Sequence, residues 1–381
     1  MGSNNFSLPP SDSPSLILTL ATEPERIQTW TLTHPMWGPA LTLDSYLQRE
    51  SYLTTVPLAK DGGITHWILT IDGLPPNERP ILSSCETLRK KVIYTEDRKD
   101  EVKEGVAHGI GSVFTAKEFR GRGYASRMMT ELGKKLKGWQ GGVLSVLYSD
   151  IGKGFYAKHG WGVFESGHVE FKPEKSEGGE TQKVKKIGYH ELAELCCVDE
   201  KLMRERLRKL GREQKDKRVH VAIIPELDQM LWHLMREDFM TKSIFGEGRI
   251  PQVKGAVYGE KGKRVWAVWT RGYYGGLEKM EGNTLHILRV VIEDEQGIDE
   301  TELMEGIRTI VRIAQNEALE WRSETVQMWN PDKKLKGAIE RMGIEYEYVD
   351  RDKDSIASLM WYGEEGIDQV DWVANEKYAW C

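Results

Sequence analysis

The sequence predicts a mixed α/β (α+β) fold of two domains. Each is a twisted mixed sheet carrying helices, and the second is a degenerate copy of the first. Three observations predict this. A strand at 106–114 breaks into a basic, glycine-bearing loop that opens a helix, an arrangement suited to holding an anion. The order of strands and helices in the first half returns in residues 218–381 without that loop. The 381 residues are too many for one such domain and suit two of ordinary size.

The elements follow in order. Residues 1–14 are polar and proline-bearing and read as a flexible segment, before Leu16-Ile-Leu-Thr-Leu begins a strand. Thr22-Glu-Pro-Glu-Arg has the acceptor, proline and acidic first turn of a helix start, and 43–52 continues the helical region. Residues 64–71 and 80–95 alternate as hairpin strands around Asp72-Gly-Leu-Pro-Pro-Asn. The 106–114 strand, the loop and its helix come next, then a strand at 142–148, a short helix at Phe155 and a closing strand at 162–171. This first domain spans 15–172. A linker and bridging helix occupy 173–217: a charged, glycine-bearing stretch at 173–182, then a helical pattern over 186–212.

The second domain, 218–381, repeats the order: a strand at 219–224 and an amphipathic helix at 226–244 with Leu231, Leu234 and Phe239. A hairpin at 254–259 and 264–274 alternates Val265, Ala267 and Trp269. A strand at 286–292, a helix at 302–320, a strand at 325–329, a helix at 333–342 and a final strand at 358–362 complete it.

The chemistry concentrates at 111–125. Val113 and Phe114 end a strand, Arg120-Gly121-Arg122-Gly123 tightens the loop, and Tyr124, Met128, Met129, Leu132 and Leu136 recur at helical spacing. Small residues let the backbone approach a phosphate, successive N–H groups converge on it, and the helix dipole adds roughly half a positive charge. A dinucleotide fingerprint needs a third glycine where Ser126 stands, and a P-loop needs Gly-Lys-Ser/Thr, which is absent. The bland alternative is a βα turn whose glycines serve only tight packing. At the matching place in the second half stands Glu293-Asp-Glu-Gln-Gly-Ile-Asp-Glu-Thr-Glu, whose carboxylates repel a pyrophosphate.

Composition narrows the partners. A net charge of −6 argues against nucleic acid, which needs a concentrated basic face, and the basic run at 204–212 reads as a solvated helix face. Cys85, Cys196, Cys197 and Cys381 show no metal-ligand spacing. No leader pattern and no 18-residue apolar run are found, so a soluble protein of a reducing, cytoplasmic compartment without a membrane partner is expected.

Arg120-x-x-Gly123-x-Ala125 resembles the pyrophosphate loop (Q/R-x-x-G-x-G/A) of the GCN5-related N-acetyltransferases. Residues 149–161 resemble that family's next element, an Asn-x-x-Ala helix start before a Phe/Leu-Tyr pair and Gly-aromatic. Here Ser149 stands for the Asn and Gly152 for the Ala, while Phe155-Tyr156 and Gly160-Trp161 match. With Val326-Gln-Met-Trp-Asn-Pro, Ser358-Leu-Met-Trp-Tyr-Gly and the aromatic terminus 375–381, the chain resembles the fungal lysine N6-acetyltransferases of lysine catabolism over nearly its whole length. Tyr156-x-Lys158-x-Gly160-Trp161-Gly162 is also similar to the bacterial enhanced-intracellular-survival type.

The resemblance implies acetyl-CoA as co-substrate, no metal, and transfer to the side-chain amine of free L-lysine. It implies CoA contacts from Val113, Phe114, Thr115, Arg120, Gly121, Arg122, Gly123, Tyr124, Ala125 and Ser149. An alkylammonium has a pKa near ~10.4, so the site must take a proton, and the leaving thiolate needs a donor. Tyr156 is the candidate acid. His108, on the strand feeding the loop, is one candidate base, with an outward-facing polar residue as its bland alternative. By analogy with the bacterial group, the Cys381 carboxylate is the other. Trp30, Trp37, Glu50 and carboxylates of the second domain are available to the acceptor. Two other functions stay open: acetylation of a different amine, and a non-catalytic acyl-CoA-binding regulator.

Overall fold

The computed structural model describes residues 8–95, 101–175, 183–213 and 218–380. In the first half run β1 (Leu16–Leu20), α1 (Glu23–Trp37), α2 (Leu43–Leu53), β2 (Ile64–Ile71), β3 (Ser83–Thr95) and β4 (Val102–Phe114). Then come α3 (Tyr124–Leu136), β5 (Gly142–Ser149), the one-turn α4 (Gly154–Ala157), β6 (Gly162–Val163) and β7 (Gly167–Phe171). The second half contains β8 (Val184–Ile187), α5 (Tyr189–Arg212), β9 (Val219–Ile223), α6 (Leu227–Phe245), β10 (Gly255–Tyr258), β11 (Val265–Tyr273) and β12 (Asn283–Ile292). It closes with α7 (Glu300–Glu320), β13 (Thr325–Trp329), α8 (Lys333–Arg341), β14 (Glu347–Asp350), β15 (Ile356–Trp361) and β16 (Val370–Trp372).

Local chemistry explains the elements that frame the site. Thr22 closes a capping box on α1: its hydroxyl accepts the Glu25 N–H and the Glu25 carboxylate accepts the Thr22 N–H. On α3 the apolar stripe Tyr124, Met128, Met129, Leu132 and Leu136 is fully buried against the first sheet.

Two sheets result, and their strand orders correspond place by place. The first runs β1-β2-β3-β4-β5-β15-β6, with β9 added beside the far end of β3 and β16 beside β9. The second runs β8-β10-β11-β12-β13-β7-β14. In each, only the central pair among these places is parallel, β4 with β5 and β12 with β13. The duplicated architecture expected from element order is therefore present.

Five features depart from the expected organisation. The closing strand at 162–171 divides after β6, and β7 crosses to the second sheet, antiparallel to β13 and β14. The strand expected to be final, β15, crosses the other way and lies between β5 and β6, and β16 follows it. Each half thus supplies the sixth strand of the other's sheet, so a division into 15–172 and 218–381 cuts both. The strand at 219–223 joins the first sheet, and β8, inside the expected linker, opens the second. Residues 8–14, expected to be flexible, are anchored on α3. Tyr124 Oη donates to the Pro9 carbonyl at 2.6 Å, and the Arg127 guanidinium donates to the carbonyls of Ser11, Ser13 and Leu16.

A core containing Val92, Ala107, Val146, Leu234, Trp266, Leu288 and Leu359 takes side chains from both sheets and from α5 and α6. Among the described residues, no helix is long and apolar enough to cross a membrane.

Candidate active site

In the first sheet β4 and β5 pair from Val106 to Ile110 and then part, β4 running on to Phe114 and β5 to Ser149. This splay leaves backbone groups of 111–114 facing a gap. Beyond it, Gly121 (φ +76°) and Gly123 (φ +82°) adopt the left-handed region that favours glycine. Gly123 is the N-cap of α3, and neither a capping side chain nor an acidic first turn satisfies that helix end. Its N–H groups are open to an anion. Arg120 and Arg122 are exposed on the loop, and Arg120 Nε donates to the Thr115 carbonyl at 3.0 Å.

The second sheet has the same splay, after the pairing of Ile287 with Met328. There the gap is filled by the chain itself. Glu376 accepts the Val290 N–H at 3.2 Å and pairs with Arg289, while Tyr378 is fully buried with its hydroxyl donating to the Ile223 carbonyl. By register Val290 is the counterpart of Val113. Asp299 caps α7 by accepting the N–H groups of Thr301 and Glu302, so that helix end is occupied too.

A cavity of about 1080 Å³ runs from the first splay between the two domains. Of the residues singled out from the sequence, Trp37, Glu50, Val113, Phe114, Thr115, Arg120, Ala125 and Tyr156 line it, and Trp30 does not. Gly121, Arg122 and Gly123 form the exposed loop beside it. Tyr124 turns its side chain away, to Pro9, and offers the site only backbone. Ser149 does not line the cavity. Its hydroxyl donates to the Gly152 carbonyl and accepts the Ile151 N–H, organising the turn that presents Asp150 and Ile151.

Tyr156, on α4, is 8 % exposed, and burial pushes its phenol well above the ordinary range. His108 does not reach the cavity. It is fully buried before the splay with Nε2 2.9 Å from the Trp139 carbonyl, and burial lowers its pKa. The role of base therefore moves away from His108, because its side chain points to the packed face of β4. Cys381 lies outside the described residues; Trp380, before it, lines the cavity with its ring near His233.

Two glutamates, Glu50 and Glu86, face the cavity beside the splay, and the sequence did not single out Glu86. Glu86 lies at an irregularity in the β3–β4 ladder, opposite Gly111. Its Oε1 accepts the Ser112 hydroxyl at 2.7 Å, and Ser112 itself has φ +53°. His66 Nε2 is 3.4 Å from its other oxygen, and burial lowers the His66 pKa to about 4, leaving a neutral ring. Burial, and then the charge of Glu50, push the Glu86 carboxyl up to about 7. Glu50, on α2, is held by Arg49. The available signal for Glu86 was a lone acid inside the strand Ser83-Ser-Cys-Glu-Thr-Leu. Among the described residues no group of three or more His, Cys, Asp or Glu is placed to hold a metal ion.

Comparison with known proteins agrees with this geometry. Residues 168–381 match the family described as the LYC1 GNAT-like C-terminal domain, and 90–163 the acetyltransferase (GNAT) domain. A lysine acetyltransferase of Yarrowia lipolytica is 24 % identical over 94 % of this chain and 98 % of its own. An uncharacterised protein of Saccharomyces cerevisiae is 22 % identical over 97 % of this chain and 99 % of its own. Among solved structures, a conserved Enterococcus faecalis protein described as a probable N-acyltransferase superposes with a TM-score of 0.51 at 13 % identity, covering 91 % of this chain and 73 % of that one. The N-myristoyltransferase of Saccharomyces cerevisiae with bound myristoyl-CoA gives 0.51 at 9 % identity, covering 91 % and 83 %. These two likenesses concern the fold.

Proposed function

The chain belongs to the LYC1 GNAT-like family and is an N-acetyltransferase, and on that premise we propose that it moves acetyl from acetyl-CoA to the side-chain amine of free L-lysine. One observation carries the reading: the cavity that begins at the splay is walled on its far side by the second domain, with Glu50 and Glu86 facing it. A cleft between the two domains that places Glu50 and Glu86 beside the splay suits a small cationic amine better than a protein tail. The lysine acetyltransferase of Yarrowia lipolytica, matched nearly end to end, supports a lysine amine as the acceptor.

The roles follow from the reaction. The pyrophosphate of CoA lies on the Arg120–Ala125 loop and the N-terminus of α3, and the pantetheine arm follows Val113, Phe114 and Thr115 into the splay. At neutral pH only about one alkylamine in ~10³ is unprotonated. Glu86, ionised, takes the proton through its cavity-facing carboxylate. The amine nitrogen attacks the thioester carbonyl, forming the C–N bond, and the oxyanion is met by backbone N–H groups at the splay. Collapse breaks the C–S bond, the nitrogen gives up its second proton, and the departing sulfur takes one up, so that amide and free thiol result. Tyr156, kept protonated by its burial, donates a hydrogen bond to the departing thiolate.

Thiol release from acetyl-CoA, measured with single amino acids, polyamines and lysine peptides, tests the reading. Turnover with L-lysine and none with N6-acetyl-lysine is expected. Turnover with peptides or polyamines but not L-lysine would overturn it. Reversing the loop charges in an Arg120→Glu/Arg122→Glu variant is expected to weaken acetyl-CoA binding at least about tenfold by calorimetry, because two cations and the field at the helix end are opposed. The melting temperature should hold, since both side chains are exposed.

A further inference from the structure

The cavity wall contributed by the second sheet contains a basic group for which the mechanism above has no use. Arg351, just after β14, is 8 % exposed. Its Nη1 donates to the Gly167 carbonyl at 2.8 Å and its Nε to the Ser355 carbonyl at 3.3 Å. The guanidinium lies 3.8 Å over the ring of Trp329, and Nη2 is buried without a hydrogen-bond partner. Among the described residues no carboxylate forms an ion pair with it. Other buried arginines are matched: Arg271 pairs with Glu237 and Glu317, and Arg289 with Asp199 and Glu376. A buried cation with no carboxylate in contact is costly, and burial lowers the Arg351 pKa to about 10 against the opposing pull of Tyr148, Tyr348 and Asp354.

Its surroundings are ordered to match. On β7, His168 is directly opposite Trp329 of β13 on one side and Val349 of β14 on the other. His168 and Trp329 line the cavity with Arg351, and His168 Nδ1 and Trp329 Nε1 are buried without partners. His168 Nε2 is 3.5 Å from Glu170, and burial lowers the ring's pKa to about 4. A neutral ring whose Nε2–H faces a carboxylate leaves Nδ1 as an acceptor. Tyr148 of β5, at the splay, has its ring 5.8 Å from Trp329, which links this wall to the reacting end.

We propose that Arg351, His168 and Trp329 form the subsite for the head group of an α-amino-acid acceptor. The α-carboxylate is seated on Arg351 Nη2 and the Trp329 N–H, and the α-ammonium donates to His168 Nδ1. The proposal rests on the free-amino-acid reading above and adds what makes the site prefer an amino acid to a plain diamine. A site built to hydrogen-bond a polar group discriminates strongly against an analogue lacking it, because its own buried groups are then left unpaired.

The test compares kcat/KM for L-lysine and for cadaverine, the same chain without the carboxylate, in the wild type and in Arg351→Gln. Wild type is expected to prefer lysine. Arg351→Gln should lower the lysine-to-cadaverine ratio at least about tenfold, through KM for lysine. An unchanged ratio overturns the proposal, as does a ratio moved by Arg236→Gln, another arginine lining the cavity, but not by Arg351→Gln. A wild type that uses lysine and cadaverine equally refutes the subsite and leaves the lysine reading standing. A wild type that uses polyamines or peptides but not lysine removes both. Acetyl-CoA affinity reports folding. Should Arg351→Gln lose it, His168→Leu is put through the same comparison, where a lowered ratio supports the subsite and an unchanged one overturns it.

Discussion

Glu86→Gln is expected to lower kcat by about 10²- to 10³-fold and to remove the acid limb of the pH–rate profile near pH 7. The glutamine keeps the size of the side chain and an oxygen for the Ser112 hydroxyl, but it cannot take a proton. General base catalysis contributes roughly 10²–10⁴ in rate, so the expected loss is near the lower end. The pH dependence is the sharper test. Burial first, and the Glu50 charge second, raise the Glu86 carboxyl to about 7, while Ser112 and Arg49 pull it down. Activity therefore rises with pH as Glu86 ionises through that value, over and above the rise due to the substrate amine. Dividing the wild-type profile by that of Glu86→Gln isolates the Glu86 limb. Stability carries the opposite sign. A carboxyl raised from 4.5 to about 7 holds a proton in the folded state that the unfolded chain has released, so stability falls as pH rises between those values. Melting curves across that window should show a steeper fall for wild type than for Glu86→Gln. Equal slopes and an intact acid limb would exclude Glu86 as the base.

Tyr156→Phe is expected to reduce kcat about 10²-fold with little change in KM for acetyl-CoA. The ring's packing survives, since Phe155 meets it edge-on at 5.0 Å and that contact does not need the hydroxyl. What is lost is the donor to the thiolate. Because burial raises the phenol, wild-type Tyr156 stays protonated well above neutrality and contributes no limb of its own in the physiological range. An acetyl donor with a more acidic thiol should narrow the gap between wild type and variant. A uniform loss with every donor, or a raised KM with kcat unchanged, would mean that Tyr156 only shapes the cleft.

The anion loop was legible because its requirements are local. Positive φ at Gly121 and Gly123, an uncapped helix end and two arginines all fall within a few residues of one another. The duplication was legible for a related reason: element order is a one-dimensional property. The partners of β7 and β15 were not, because alternation marks a strand without saying which sheet receives it. The same gap misled the reading of His108, whose side of β4 is set by the pleat and by the approach of Trp139. Glu86 and Arg351 look like ordinary surface charges in the sequence. Their meaning comes from burial and from the groups they do or do not face, and only tertiary packing supplies these.

The exchange of β7 and β15 also bears on how such a chain can change over time. A gene that lost its second half would lose a strand from inside the catalytic sheet, between β5 and β6. The half whose cleft is plugged by Glu376 and Tyr378 is thus not a passenger awaiting deletion. Once the two copies had traded their sixth strands, neither could be inherited without the other.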